Sequence, residues 1–311
     1  MTLAAPGGLI GHAELLAGLR GYTGHALLLS GPARVGKRAL ARHLAAMVNC
    51  REPGPPCGVC PSCRQALAGQ HPDLLEIGPR ALTSTGKAAR RRIISVGAMV
   101  EGRGEPEGDS PPLVGWLETA PTVRRKVAVI DGAEFLSAEA ANAILKSVEE
   151  PPHRALFVFL AEEVGAVLPT IVSRCARVNV NPLTDRELAA ALARLGESPD
   201  PELLAFAAGR PGVVVERERA RAALAEARSF TEALADGMLP ALEAAEALEK
   251  RFDPLWHPEA LRFVGRDRPD AERARADDAL ERLLSALEQY VSPSLAFQVL
   301  ALDLRAAIGE G

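Results

Sequence analysis

The chain has 311 residues, of which 48% are hydrophobic and 24% charged, an ordinary composition for a globular protein of two or three domains. Its 36 basic and 40 acidic residues give a net charge of −4, so the overall charge requires neither a nucleic-acid nor a membrane partner. Without a secretory signal or the about 18 consecutive apolar residues of a membrane helix, the sequence predicts a cytoplasmic protein with reduced thiols.

The first predicted element is a buried strand over residues 26–30, followed by the pattern G-x-x-x-x-G-K from Gly31 through Gly36 to Lys37. A helix is predicted from about Lys37. A strand, a glycine loop and a helix in this order indicate a P-loop, in which backbone N–H groups, the lysine and the helix N-terminus favour phosphate. The next residue should carry a hydroxyl that ligates Mg²⁺, but it is Arg38, which would repel a cation.

Four cysteines with the spacing C-x6-C-x2-C-x2-C lie within residues 50–63, a segment rich in proline and glycine that is predicted to be irregular. They are Cys50, Cys57, Cys60 and Cys63. Zinc binds four thiolates in a tetrahedron, and the short spacings bring sulfurs together across a tight turn. A structural zinc site is predicted, and free or redox-active thiols are the alternative. His71 and Cys175 are expected to lie outside this site.

A basic run and a polar segment follow the cysteines. The basic residues Lys87, Arg90, Arg91 and Arg92 precede residues 101–112, which are low in complexity. The segment is interpreted as a solvated loop, and its role stays open. The basic run is interpreted as a solvated face, with direct contact to DNA as the alternative.

A second buried strand is predicted over residues 126–130 and ends at Asp131, a Walker B pattern that places a carboxylate near the metal of a nucleotide. Gly132 stands where a water-activating glutamate commonly follows, and Glu134 is expected to point elsewhere. Nucleotide binding at the P-loop and Asp131 is therefore expected to be weak or vestigial, and hydrolysis negligible.

The next predicted elements complete the α/β part of the chain, and the elements after them are all helical. Ser137 caps a predicted helix that ends before Pro151, and strands are predicted over residues 156–160 and 176–180. Strands that alternate with helices predict a parallel sheet with helices on both faces. The predicted domains are residues 1–181 with the cysteine module, a short helical unit over 182–213 that opens with a capping box of Thr184 and Glu187, and an all-helical domain over 214–311.

The order of these motifs resembles the clamp-loader family of AAA+ ATPases of bacterial DNA polymerase III. The resemblance runs from about residue 11 to residue 180 and is carried by the P-loop and the four cysteines. It continues in His-Pro-Asp at 71–73, VIDGAEFL at 129–136, NAILKSVEEPP at 142–152 and Ser-Arg-Cys at 173–175. The degenerate positions Arg38 and Gly132 resemble the delta-prime type of subunit.

The resemblance implies a RecA-like parallel sheet with an inserted zinc module, a small helical lid and a helical collar domain for oligomerisation. It implies a hetero-pentamer with motor subunits and a delta subunit, which uses ATP to open the sliding clamp and place it on primed DNA. Arg174 would be an arginine finger for ATP bound by the neighbouring subunit. Without the resemblance, Arg174 would be an ordinary surface or ion-paired arginine. The nucleotide-sensing lid arginine of motor subunits falls at or near Gly212, with Arg210 displaced.

The sequence leaves three functions open. The first is a non-hydrolysing clamp-loader subunit within the DNA polymerase III holoenzyme. The second is an ATP-hydrolysing motor subunit, in which Glu134 or another acid would have to replace the missing carboxylate. The third is a zinc-stabilised nucleic-acid-binding protein with a relict P-loop, which the acidic net charge and the 4% content of aromatic residues disfavour.

Overall fold

The computed structural model describes residues 9–52, 56–79, 92–103, 110–194, 196–198, 200–289 and 291–309. The chain divides into two compact units. The first unit comprises Met1–Pro199 with Ala207–Val215, and the second comprises Asp200–Phe206 with Glu216–Gly311. The three-domain division at residues 182 and 214 stays a prediction.

The strands all belong to the first unit, and the helices occur in both units. The strands are β1 (Ala26–Ser30), β2 (Leu74–Ile77), β3 (Val127–Asp131), β4 (Leu156–Ala161) and β5 (Ala176–Asn179). The helices up to residue 207 are α1 (Ala13–Gly18), α2 (Lys37–Asn49), α3 (Pro61–Leu67), α4 (Leu113–Glu118), α5 (Ala138–Glu149), α6 (Pro169–Val172), α7 (Asp185–Arg194) and α8 (Pro201–Ala207). They are followed by α9 (Pro211–Val215), α10 (Arg217–Asp236), α11 (Met238–Arg251), α12 (His257–Val264), α13 (Asp270–Glu288) and α14 (Pro293–Gly309).

The strands form one parallel sheet in the order β2-β3-β4-β1-β5. This confirms the predicted parallel α/β architecture. Strands β1 and β4 are buried along their whole length, because both faces of a parallel sheet are covered by helices. Strand β2 was not predicted, since its four residues, Leu-Leu-Glu-Ile, are too short a pattern to distinguish from a loop.

Alternate residues of the central strands point into two different apolar cores. Leu27 and Leu29 pack in the core that includes Leu44 of α2, whereas Leu28 packs in the core that includes Ile144 of α5. Helix α5 begins at its predicted cap, where the backbone N–H of Ala140 donates to the Ser137 hydroxyl at 3.0 Å. The two cores hold the carboxyl ends of β1 and β3 at the same edge of the sheet.

Helix α3 begins inside the cysteine segment, so the prediction that residues 50–63 are irregular was wrong at its end. Pro61 is the first helical residue and Cys60 is the N-cap, whose Sγ accepts the backbone N–H of Cys63 at 3.4 Å. Proline suits a first helical position because its missing N–H would be unpaired there in any case. The cysteine thus replaces the usual oxygen cap.

Several predicted segments lie partly outside the described residues. They are residues 53–55, the basic residues Lys87, Arg90 and Arg91, and residues 104–109 of the polar segment. The described member of the basic run, Arg92, lies over the ring of Phe135 with its guanidinium carbon 4.1 Å from the ring centre.

The second unit is built from helices whose core carries several aromatic rings. The ring of Phe206 lies 5.2 Å from that of Phe263, and the ring of Phe252 lies 4.9 Å from that of Phe297, both edge to face. Trp256 is 2% exposed. Throughout the described part of the chain, no helix combines the length and the apolarity needed to cross a membrane.

Candidate functional sites

Two glycines of the loop after β1, the predicted P-loop, adopt backbone conformations that favour glycine. Gly31 has a φ of +151°, and a Cβ there would lie 2.2 Å from the carbonyl oxygen of Val180, so a side chain cannot be accommodated. Gly36 has a φ of +108° and precedes the first turn of α2. His12 contacts the loop through Nε2, which lies 2.8 Å from the carbonyl oxygen of Val35.

Lys37 is turned onto the loop that carries it. Its Nζ donates to the carbonyl oxygens of Gly31 at 2.5 Å and Pro32 at 2.8 Å, and the residue is 9% exposed. Burial lowers the pKa of the Lys37 ammonium, and the carboxylates of Glu162, Asp131 and Glu134 oppose that shift. The ammonium is therefore already solvated by the protein.

Arg38 forms an ion pair with Asp131, the carboxylate that was expected to lie near a metal. Its Nε donates to Oδ2 of Asp131 at 2.7 Å, and a second guanidinium nitrogen forms an ion pair with the same oxygen. Mg²⁺ requires octahedral oxygen ligands, and here the hydroxyl is replaced by a cation while Asp131 is engaged by it. The residues present do not fit a magnesium-bound nucleotide.

Glu134 lies in the turn that follows β3, and the expectation that it points away from the nucleotide site stays a prediction. Gly132 has a φ of +88°, and the chain turns there into a single 3-10 turn over Ala133–Phe135. Glu134 Oε1 accepts the backbone N–H of Glu162 at 3.2 Å, and its charge acts on Lys37.

Gly212, at the predicted lid-arginine position, contacts the P-loop through its backbone. Its N–H donates to the carbonyl oxygen of Arg34 at 2.9 Å, and a Cβ at Gly212 would lie 2.7 Å from that oxygen. Arg210 Nε donates to the carbonyl oxygen of Ala207 at 2.9 Å. A long side chain at position 212 would separate this turn from the P-loop.

The sulfurs of Cys50, Cys57, Cys60 and Cys63 all lie within 4.8 Å of one another, which confirms that the predicted ligands come together. The sulfurs of Cys57 and Cys63 are 3.9 Å apart. A zinc ion at about 2.3 Å from each of four sulfurs requires a separation of about 3.8 Å between them. The residues therefore fit a tetrahedral zinc ion. Cys175 lies outside the cluster as predicted, half-buried, and burial raises its pKa to about 12.

Backbone N–H groups point at the sulfurs of the cluster. The N–H of Cys60 donates to Cys57 Sγ at 3.3 Å, and such bonds lower the pKa of the Cys57 thiol to about 7. Burial raises the pKa of the Cys63 thiol to about 12. The thiolate is the form that binds zinc, so N–H donors at the sulfurs suit a metal site.

Polar contacts at both ends of the cysteine module reach the segments that lead into β3 and β2. Asn49 Oδ1 accepts the backbone N–H groups of Arg124 at 3.2 Å and Arg125 at 3.0 Å, just before β3. The Ser62 hydroxyl lies 3.0 Å from Nε2 of His71, which is 3% exposed. His71 is thus a buried structural residue outside the sulfur cluster, as predicted.

Arg174 follows α6, and all three of its guanidinium nitrogens are hydrogen-bonded within the chain. Nε donates to Glu149 Oε1 at 2.7 Å, and Nη2 contacts the same oxygen. Nη1 donates to the carbonyl oxygen of Thr170 at 2.8 Å and to the Ser173 hydroxyl at 3.3 Å. Glu149 was not singled out from the sequence, although an acid at the last residue of a helix, where the helix dipole disfavours it, indicates a nearby cation.

The sequence matches the family described as DNA polymerase III, delta subunit, over residues 19–101 and 113–184. It is also 36% identical over 163 residues to DNA polymerase III subunit delta′ of Pseudomonas aeruginosa, a match that covers 51% of this chain and 44% of that relative. The chain belongs to the delta-prime family of clamp-loader subunits.

A second relative and a solved structure extend the similarity along the chain. DNA polymerase III subunit tau of Bacillus subtilis is 27% identical over 283 residues, which cover 87% of this chain and 43% of that relative. The matched part of the chain therefore spans less than half the length of these two relatives. A DNA polymerase III gamma-subunit-related protein of Thermotoga maritima superposes with a TM-score of 0.52 at 18% identity, covering 94% of this chain and 98% of that one. The likeness shows that the two proteins share a fold.

Proposed function

We propose that the chain is a non-hydrolysing subunit of the DNA polymerase III clamp loader. In this role it supplies Arg174 to ATP bound by a neighbouring motor subunit while the sliding clamp is loaded onto primed DNA. The observation that carries the proposal is the Arg38 guanidinium on Asp131. Phosphoryl transfer depends on a metal that neutralises the developing charge, and this pair takes the place that the metal would need.

The other contacts at the P-loop site also favour a subunit that does not hydrolyse ATP over a motor subunit. Lys37 bonds to its own loop, and Gly212 packs its backbone on the P-loop where motor subunits carry an arginine. Binding of ATP to this chain is therefore expected to be weak or vestigial, and its hydrolysis negligible. In this proposal the four-cysteine module holds a Zn²⁺ ion. The ion is structural and not catalytic, because four protein thiolates leave no coordination position open for water or substrate.

Arg174 suits a contact with a neighbouring subunit because its side chain is 32% exposed. A planar guanidinium that reaches a phosphate from another chain stabilises transition-state charge, an effect of about 10³- to 10⁵-fold in GTPases. The proposed assembly is a hetero-pentamer with motor subunits and a delta subunit in the bacterial cytoplasm. In it, residues 1–181 form the AAA+ domain, 182–213 the lid and 214–311 the oligomerising collar.

One observation favours an alternative, the ATP-hydrolysing motor subunit. Glu134 acts electrostatically on Lys37 and has one buried carboxylate oxygen without a hydrogen-bond partner among the described residues. It is thus an acid available at the site where the usual water-activating residue is missing. A motor would still have to bind Mg²⁺ against Arg38.

The test is the ATPase rate of the reconstituted loader in the presence of clamp and primed DNA. We expect Arg174→Ala to lower the rate about tenfold or more, since the finger acts on the neighbour's ATP. Lys37→Ala should leave the rate within about twofold, as should Arg177→Ala, an exposed arginine on β5 that serves as the matched control.

The opposite pattern would overturn the proposal. If Lys37→Ala is the damaging change, the chain is a motor. If Arg174→Ala leaves the rate unchanged, the arginine-finger role fails. A chain that does not assemble with motor subunits at all would remove the clamp-loader role.

A further inference from the structure

We infer that Glu149 is a positioning residue, which fixes the orientation of the Arg174 guanidinium for its contact with a phosphate of the neighbouring subunit. This inference rests on the proposed role of Arg174. It concerns a carboxylate that lies outside the P-loop site and has no function in the chemistry described so far.

The acceptors around Arg174 are of two kinds. The Nε side of the guanidinium is bonded to the charged carboxylate of Glu149, whereas Nη1 is bonded to neutral oxygens of Thr170 and Ser173. Hydrogen bonds between charged groups are the stronger ones. An incoming phosphate therefore displaces the neutral acceptors first, while Glu149 keeps the Nε side in place.

The backbone around Glu149 gives this carboxylate a fixed position. Glu149 is the last residue of α5, and the helix ends because Glu150 leaves helical geometry and Pro151 follows. The helix dipole disfavours a negative charge at that end, so the carboxylate does not serve the helix itself. Its ion pair instead joins the end of α5 to the turn after α6, 25 residues further along the chain.

The exposure of the pair leaves the guanidinium within reach of another chain. The Arg174 side chain is 32% exposed and that of Glu149 is 49% exposed. An arginine without a fixed partner samples many rotamers, of which few are productive. Without Glu149, Arg174 should be oriented toward the phosphate in a smaller fraction of molecules, so kcat should fall. The KM for ATP should not change, because it is set by the nucleotide site of the neighbouring subunit.

The experiment measures kcat and KM for ATP in the reconstituted loader with clamp and primed DNA. We expect Glu149→Ala to lower kcat by about threefold to tenfold and to leave KM within about twofold. Glu149→Gln, which keeps an acceptor without the charge, should give a smaller loss. Glu150→Ala, the adjacent exposed carboxylate, is the matched control and should leave both constants unchanged.

A double-mutant cycle separates positioning from a merely structural effect. In the Arg174→Ala background, Glu149→Ala should have no further effect, because nothing remains to be positioned. An equal loss in both backgrounds would overturn the inference, as would a silent Glu149→Ala where Arg174→Ala abolishes most of the rate. If Arg174→Ala is itself silent, the proposed finger fails and the positioning role fails with it.

Discussion

The cysteine module and the P-loop site differ in what their polar groups are doing. In the module, four sulfurs converge within 4.8 Å, and the surrounding N–H groups point at them. In the P-loop site, Lys37 bonds to its own loop and Arg38 bonds to Asp131. The first arrangement leaves its sulfurs available to an ion, whereas in the second both Lys37 and Arg38 already have partners within the chain.

The difference teaches that a motif and a ligand site are separate things. Both segments match a known spacing, and both have the backbone geometry that the spacing predicts. Whether a ligand binds depends on the groups that already face the binding atoms. One residue, Arg38, supplies a permanent positive charge where the P-loop pattern calls for a hydroxyl and an exchangeable metal.

Breaking the cysteine module should have the largest effect. Cys60→Ser should remove about one zinc ion per chain and lower the free energy of unfolding by more than about 3 kcal/mol, because structural zinc contributes about 10 kcal/mol in isolated zinc peptides. Elemental analysis and thermal unfolding measure the two quantities. Cys175→Ser, outside the cluster, is the control and should keep its zinc. A metal-free wild-type chain with an unchanged melting temperature would contradict the zinc assignment.

Removing the Arg38 guanidinium should leave the P-loop site, like the cysteine module, with atoms that are free to bind a ligand. Arg38→Thr restores a hydroxyl and releases Asp131, so it should bind ATP in the presence of Mg²⁺ at least about tenfold more tightly than the wild type. Arg38→Lys, which keeps a cation beside the carboxylate, should show no gain. The anisotropy of a fluorescent ATP analogue, with Mg²⁺ or with a chelator, measures this. Equal binding by wild type and Arg38→Thr would contradict the interpretation.

Disrupting the backbone contact between Gly212 and the P-loop should have an intermediate effect. Gly212→Ala places a Cβ at 2.7 Å from the carbonyl oxygen of Arg34, and overpacking of this kind costs about 1–3 kcal/mol of unfolding free energy. Gly115→Ala, on an exposed face of α4 with no atom within 4 Å of the added carbon, should be neutral or slightly stabilising. Chemical denaturation of both variants checks the difference, and an equal effect would show that the turn is loosely packed.

The smallest effect concerns the cap of α7 beside the P-loop. Hydrogen bonds from Thr184 lower the pKa of Glu187 below its ordinary 4.5, and the nearby His12 acts in the same direction. Folding therefore favours the ionised carboxylate, and its stabilisation is present above pH 4.5 and lost as the pH falls through the folded-state pKa. Urea midpoints of the wild type and Glu187→Gln should differ at pH 7 and converge in acid. A difference independent of pH would contradict this.

Much of the fold followed from local pattern. The strands β1, β3, β4 and β5, the caps at Ser137 and Thr184, and the grouping of the four cysteines were all predicted, because each depends on spacing along one short segment. Strand β2 was missed, since its four residues are too short a pattern to distinguish from a loop, and only its pairing with a distant segment, β3, identifies it as a strand. Local pattern does not report such contacts.

The same limit explains what was missed at the sites. The sequence showed that Arg38 lacks a hydroxyl, but its bond to Asp131 joins residues 93 apart. Glu149 and Arg174 are 25 residues apart, the first at the end of α5 and the second in the turn after α6. The position of Glu134 depends on the turn after Gly132, whose left-handed backbone local pattern does not predict. In each case the sequence gives the residue types, and the fold gives their partners.

The hydrogen bonds between Asn49 and the segment before β3 have a consequence for the order of folding. The cysteine contacts span few residues, with Cys57 and Cys63 only 6 apart, whereas Asn49 meets Arg125 across 76 residues and Asp73 meets Thr122 across 49. Short loops close faster and at a lower entropic cost than long ones. As the chain leaves the ribosome, the cysteine module should therefore form before these longer contacts, so that the Asn49 amide and the Asp73 carboxylate are in place when strand β3 docks.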